Sequence, residues 1–211
     1  MIITVFGATG MVGNHIIKQG LAQGHRIHAF GRNVYKLVDE DLKNEFLETF
    51  QGGIFDEELV YRAIKGSDAV LSALGGAFDG EDKTRSLGMK NIIKQMEKAG
   101  VKRIVALGGL GILNGDGEQL LIDSPDYPAQ YLPVGKEHLK AFEFLQASNL
   151  DWTFVCSPDI KEQGSTGNYV TNANYVPKPN HYFINAGDLA DFMLKEVSGN
   201  QYIKQRVGIS N

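Results

Sequence analysis

The apolar positions of this chain switch repeatedly between two periods. Residues 1–6 form a short apolar, β-branched run bounded by Gly7, the pattern of a buried strand. Residues 11–23 then carry Val12, Ile16, Ile17 and Leu21 at helical spacing. A second strand is expected over residues 25–30 and a third, with shorter alternation, over 46–51. Residues 56–65 predict a helix with Asp56 as N-cap and Leu59, Val60 and Ala63 on one face. A fourth strand, 69–74, runs into Gly75-Gly76. A longer helix, 84–99, turns Leu87, Ile92, Ile93 and Met96 inward and stops at Gly100. The fifth strand, 103–107, closes on Gly108-Gly109; a helix over 135–148 and a sixth strand over 152–156, ended by Pro158, follow. A last helix is expected over 186–197, capped by Asn185 or by Gly187-Asp188, with an edge strand at 202–207.

Strands alternating with helices of about 10–15 residues imply βαβ units around a parallel sheet. Right-handed crossovers place the helices on both faces. The expected fold is α/β, a Rossmann-type doubly wound parallel sheet, formed as a single domain over residues 1–211. Two segments break the alternation. Residues 111–133 are too long for an ordinary connection and carry Gly, Asp and Pro, which marks a functional or mobile loop. Residues 163–180 are rich in Gly, Asn and Pro and hold Tyr169 and Tyr175. They predict a small irregular lobe, within residues 157–185, on the substrate side.

Composition narrows the function classes. Hydrophobic residues make up 43% and charged residues 22% of 211, an ordinary globular balance with a packed core. A net charge of -4 argues against nucleic acid or an anionic membrane as partner. Cys156 is the only cysteine, which excludes an internal disulfide and a cysteine-rich zinc site; on a buried strand it reads as a small hydrophobe. His15, His25 and His28 lie too close to the first turn and second strand to form a metal triad, so no metal is expected; His181 is expected at the surface. The acidic residues of 111–126 read as a solvated loop. No apolar run approaches the roughly 20 residues of a spanning helix. The chain begins directly in strand-like sequence, without a secretory pattern. A cytoplasmic enzyme or sensor is expected; no heptad pattern points to an oligomeric state.

The chemistry concentrates at TVFGATGMVGNHI, residues 4–16. Gly7 permits a tight turn, Gly10 lets backbone approach a pyrophosphate, and Gly13 lets the helix pack close to the sheet. The free amides and positive dipole end of that helix attract phosphate. The spacing is GxxGxxG, and its position between strand and helix is the context that nucleotide binding requires. At the second strand's tip the chain reads HAFGRN. A carboxylate there would bind the ribose hydroxyls of NAD. Arg32 stands there instead, with Lys36 a turn later. A guanidinium clamps a 2′-phosphate in a fork, so NADP(H) is the preferred cofactor and NAD(H) the alternative.

GATGMVG at 7–13 resembles the nucleotide-binding signature of the atypical, extended-type short-chain dehydrogenases, NmrA-like proteins among them. AFGRNVYKL resembles that group's arginine-bearing second-strand tip, and DAVLSALGG, 68–76, its fourth strand. SNLDWTFVCSPDI at 148–160, STGNY at 165–169 and AGDLADFML at 186–194 resemble NAD(P)-binding reductases similar to biliverdin reductase B, also called flavin reductase. The resemblance implies an NADP or NAD cofactor and hydride transfer to a planar acceptor such as a flavin, quinone or tetrapyrrole. It places Ala8, Thr9, Met11 and Val12 with the three glycines of the turn on the cofactor. It adds Ala73, Leu74, Gly75 and Gly76 after the fourth strand, Gly108 and Gly109 after the fifth, and Ser157 and Pro158 after the sixth.

Several positions depart from the family pattern. The Tyr-x-x-x-Lys pair of ordinary short-chain dehydrogenases is missing; Tyr131 and Lys136 are five apart, with Pro133 and Gly135 interrupting the stretch. Gly108 and Gly109 stand where relatives carry a serine, and Asp159 where they carry a histidine, which argues against tetrapyrrole reduction. His138 matches a family histidine, falls within the stripe of Leu139, Phe142 and Leu145, and is the one candidate acid; Lys136 points away to solvent. The bare strand ends at Gly75-Gly76 and Gly108-Gly109 leave room for a flat ring and offer amides to its carbonyls, or simply end strands. Tyr127, Tyr131, Tyr169 and Tyr175 are candidates to line the acceptor site. The expected function is an NAD(P)H-dependent reductase of a small planar acceptor. The alternative is a non-catalytic NAD(P) sensor that binds a partner protein; a cofactor-using isomerase or dehydratase lacks its tyrosine.

Overall fold

A computed structural model describes residues 1–39, 44–115 and 117–211. Eight strands form one sheet in the order β3-β2-β1-β4-β5-β6-β10-β8. They are β1 (Ile2–Phe6), β2 (Arg26–Gly31), β3 (Leu47–Gln51), β4 (Ala69–Ser72), β5 (Arg103–Gly109), β6 (Asp151–Ser157), β8 (Val170–Ala173) and β10 (Gln205–Ser210). Neighbours run parallel except β8, which joins β10 antiparallel. The chain winds outward from β1 to β3, then returns to β4 and winds the other way. A doubly wound sheet of this kind opens a crevice at the carboxyl ends of β1 and β4, where the order reverses.

Each strand sends alternate side chains to opposite helix layers. Ile3, Val5, Ile27, Ala29, Leu71, Val105, Val155 and Val207 pack against α1 (Met11–Ala22) and α6 (Ala186–Gly199). Phe6, Phe30, Val70, Ile104, Ala106, Phe154 and Cys156 face α3 (Glu57–Ile64), α4 (Thr84–Ala99) and α5 (Leu132–Gln146). The single-turn α2 (Tyr35–Asp39) follows β2. Local signals set the ends: Asp56 Oδ1 accepts the Leu59 amide at 3.0 Å, and Gly100 ends α4 at φ 75°.

Four expectations need correction. Leu87 is 46% exposed, because it lies five residues before Ile92 and therefore some 140° around the helix. Helix α5 begins at Leu132, not at 135. Pro133 sits in its first turn, where the missing N–H breaks no bond, so it starts the helix rather than interrupting it. The last strand is 205–210, and it is interior: β8 covers its outer side. Residues 157–185 are less irregular than expected, since they hold β8 and a second, two-stranded parallel sheet of β7 (Asp159–Lys161) and β9 (Phe183–Asn185). Among the described residues no helix is long and apolar enough to cross a membrane.

Two buried polar clusters fix the lobe and the last helix. Arg103 of β5 pairs with Glu196 of α6 at 2.8 Å, and Thr153 Oγ1 donates to the same carboxylate at 3.0 Å. Asp188, fully buried near the start of α6, accepts from the Thr166 and Gly167 amides, the Ser165 and Thr166 hydroxyls, and the Asn185 and Asn211 side-chain amides. Burial alone would raise its pKa; those donors outweigh it and hold the carboxyl down at about 2.

Candidate functional site

The turn from β1 to α1 is built around missing side chains. Gly7 has φ 78°, and a Cβ on it would stand 2.3 Å from the Ala73 carbonyl oxygen. A Cβ on Gly13 would stand 2.1 Å from the Gly7 carbonyl oxygen. Both positions therefore exclude any side chain, which brings the helix start close to β1 and β4. Gly10 is the N-cap of α1; no side chain caps its amides and no acidic residue occupies its first turn. The positive helix end is left uncompensated, as an anion site requires.

A cleft of about 1310 Å³ passes this turn and continues along the carboxyl ends of the sheet. Arg32 and the glycines Gly31, Gly52 and Gly53 line its end at β2 and β3. Gly7, Thr9, Gly10, Met11 and Val12 line its middle, with Ala73, Leu74, Gly75 and Gly76 opposite. Gly108, Gly109, Ser157, Pro158, Tyr127, Tyr131 and His138 line the far end. Apart from Gly31, Gly52 and Gly53 these are expected residues, and they come together from elements spread over most of the chain.

Other expected residues do not join them. Ala8 and Gly13 are buried and face the α1 packing, not the cleft. Lys36 is exposed and lies outside the lining, because α2 carries it past the strand tip. Tyr169 turns away: its hydroxyl donates to Asp191 at 2.8 Å, and its ring meets Phe192 edge-on at 6.1 Å. Tyr175 is also outside the lining, bridging by its backbone to Asn114.

Three of the four glycines in the two pairs are crowded by neighbouring side chains. A Cβ on Gly108 would stand 2.2 Å from the Phe154 ring, and one on Gly109 2.8 Å from His138 Cδ2. Those glycines make room for packed neighbours. A Cβ on Gly76 would stand 2.7 Å from Asp82 Oδ2, so of these four glycines Gly75 alone, with nothing within 4 Å of its missing Cβ, bares its backbone to open space.

Other lining residues were not anticipated in the cleft, Phe55, Phe78, Asp82, Arg85, Asp126, Asp159 and Tyr182 among them. One signal was present for two of them. Phe55 and Phe78 each follow closely on a glycine pair that ends a strand connection, and both are largely exposed. Arg85 carried no signal, being the second residue of a helix. It is buried, donates to the Gly76 and Ala77 carbonyls at 2.9 and 2.8 Å, and lies 5.5 Å from the Phe78 ring centre. It thereby holds the loop after β4 in shape.

Ionisation in the cleft follows from burial. Desolvation, with Arg85 as a neighbouring cation, brings the His138 imidazole down to about 3, so it is neutral at physiological pH. Burial raises the Tyr127 phenol above its ordinary 10, so it stays protonated. Its hydroxyl stands over Gly111 and Gly135, where a Cβ would come within 2.6 and 3.2 Å. Glu137 lies outside the cleft; burial pushes its pKa up, but bonds from Ser86 and Lys83 outweigh this and keep it ionised. Cys156 is fully buried and its thiol is pushed well up, as expected of a packing residue.

The chain matches known proteins over most of its length. The family described as NAD(P)H-binding matches residues 7–199. The uncharacterized protein YwnB of Bacillus subtilis is 29% identical over 216 residues, 98% of this chain and 96% of its own. A Streptococcus pneumoniae protein provisionally assigned as an NADH-flavin reductase shares the fold at TM-score 0.83 and 25% identity, over 100% of this chain and 99% of its own. A Bacteroides thetaiotaomicron protein provisionally assigned as an epimerase does so at TM-score 0.85 and 28% identity, over 99% and 96%. The glycine turn at the crevice and the extent of the family match agree: the chain belongs to the NAD(P)H-binding family, and its cofactor is a nicotinamide nucleotide.

Proposed function

We propose that this protein is an NADPH-dependent reductase that delivers hydride to a small planar acceptor such as a flavin or a quinone. One observation carries the reading: the cleft continues past the nucleotide turn to a stretch lined by Phe78, Tyr127, Tyr131 and Tyr182. A sensor needs only the first part. The relative provisionally assigned as an NADH-flavin reductase supports the same class. The relative provisionally assigned as an epimerase does not sway it, because Tyr131 and Lys136 are five apart and Lys136 lies outside the cleft.

A bound nicotinamide supplies the hydride, and the chain supplies position. The first-turn amides of α1 hold the diphosphate, in the cradle that Gly7 and Gly13 keep free of side chains. Arg32, exposed at the tip of β2, clamps the 2′-phosphate. The open face at Gly75 admits the flat ring system, and Tyr127 and Tyr131 form one wall of its slot. The neutral His138 ring and the protonated Tyr127 phenol can each donate a hydrogen bond to an acceptor oxygen that gains charge on reduction. The remaining proton comes from water at the open mouth.

The test has two parts. Purified protein is expected to oxidise NADPH when a flavin or a simple quinone is present; failure across a broad panel of both removes the reductase reading. Arg32→Ala is expected to weaken NADPH binding by ~1–3 kcal/mol and to leave NADH nearly unchanged. Equal loss for both cofactors would remove the phosphate clamp.

A further inference from the structure

The cleft is electrically uneven along its length, and the unevenness bears on which acceptor enters. Its charged lining residues are Arg32 at one end and Asp82, Arg85, Asp126 and Asp159 toward the other. Arg85 and Asp82 belong to one local arrangement. Arg85 is spent on the Gly76 and Ala77 carbonyls, and Asp82 accepts the Ala77 and Thr84 amides. Their charges offset each other. Asp126, on the connection from β5 to α5, and Asp159, at the start of β7, are different. Both are exposed, and the ion pairs among the described residues involve neither. His138, which also lines the cleft, is uncharged at neutral pH. The nearest lysine in sequence, Lys161, lies with its Nζ 3.3 Å over the Phe183 ring and does not line the cleft.

Arg32 is too distant to compensate. It leaves the sheet at β2, three strands from β5 and four from β6. At the ~4.8 Å spacing of strands that is roughly 14–19 Å. The Debye length at physiological ionic strength is about 8 Å, so the two ends act as separate fields. One end attracts the phosphates of the cofactor; the other presents two uncompensated carboxylates.

Resting on the reductase reading above, we infer that Asp126 and Asp159 make the acceptor end select flat ring systems that carry no anionic group. Neutral quinones and the uncharged flavin riboflavin enter it in preference to acceptors bearing a phosphate or carboxylate tail. The aromatic rim of Phe78, Tyr131 and Tyr182 supplies attraction that is indifferent to charge, and the two carboxylates supply the discrimination. A doubly charged phosphate held within about a Debye length of both is disfavoured by roughly tenfold at low salt.

The experiment compares riboflavin with FMN, which differ only by that phosphate. Quenching of flavin fluorescence is titrated on the full chain saturated with NADP+, at low and at high salt. Riboflavin is expected to bind about tenfold tighter at low salt, with the gap narrowing several-fold as salt screens the carboxylates. The Asp126→Asn, Asp159→Asn double variant is expected to raise the FMN-to-riboflavin affinity ratio several-fold at low salt. Equal binding, tighter FMN, or a gap that ignores salt and both substitutions would overturn the inference. NADPH oxidation with both flavins is assayed alongside. Turnover that is as efficient with FMN as with riboflavin overturns the inference and keeps the reductase; absence of turnover and of binding with either removes both.

Discussion

His138 stands where an acid is expected, and its surroundings hold its ring neutral. Desolvation, aided by the Arg85 charge, lowers its pKa from the ordinary 6.5 to about 3. The folded chain therefore holds this ring neutral where the unfolded chain protonates it. Between pH 6.5 and about 3 the unfolded state binds the extra proton, so stability rises with pH and is lost as pH falls through that window. Urea midpoints at pH 7 and pH 5 test the sign: His138→Gln is expected to lose less stability across that interval than the wild type. An equal loss would mean that the ring is solvated. The shape of the glycine turn was legible in the sequence, because its three glycines, the strand before and the helix after are contiguous. The role of Gly108 and Gly109 was not. What excludes a side chain there is Phe154 and His138, which only the fold brings to those positions.

The connection between the lobe and α6 was visible in outline, as two separate matching segments at 165–169 and 186–194. Their physical link is Asp188, whose carboxylate gathers six donors, most of them from the first segment and the chain's end. Gly187 completes the fit, since a Cβ on it would stand 2.2 Å from the Ser165 amide nitrogen. No periodicity reveals such a hub; it satisfies hydrogen bonds across some 20 residues and leaves the helical pattern unchanged. Asp188→Asn keeps the shape but turns half of the acceptor capacity into a donor facing donors. It is expected to cost about 2–3 kcal/mol, read as a lower urea midpoint with an unchanged slope. In the wild type the folded pKa of about 2 lies below the ordinary 3.8. This contribution is thus complete above pH 4 and drains away as pH falls toward 2, a loss that the asparagine variant lacks. Helix α5 carries a related lesson: its start was misplaced because Pro133 and Gly135 read as breakers, whereas one suits a first turn and the other makes room for Ile122 and Tyr127.

For the molecule as a whole, the winding order of the sheet does the assembling. Residues 7–13, 31–32, 73–76, 108–111 and 157–160 all sit at the ends of β1, β2, β4, β5 and β6, and the sheet presents those ends side by side. That alignment was predictable from the βαβ alternation; Tyr182 and the acceptor-end charges, contributed by connections of irregular length, were not. A ligand in such a cleft meets its partners only in the folded sheet, so its binding should register as global stability. At 100 times its dissociation constant a ligand specific to the folded state contributes about 2.7 kcal/mol. In a chain of about 200 residues that raises the melting temperature by roughly 5–10 °C. NADPH is expected to give this shift. A tenfold weaker Arg32→Ala complex at the same NADPH concentration retains about 1.4 kcal/mol, so its shift is expected to fall by about half. The shift with NADH should be the same for both proteins, because the adenosine ribose of NADH offers Arg32 no phosphate. A thermal melt without any NADPH shift would mean that the folded chain does not take up NADPH, and a halved shift with NADH would make Arg32 a contact to the part that both cofactors share.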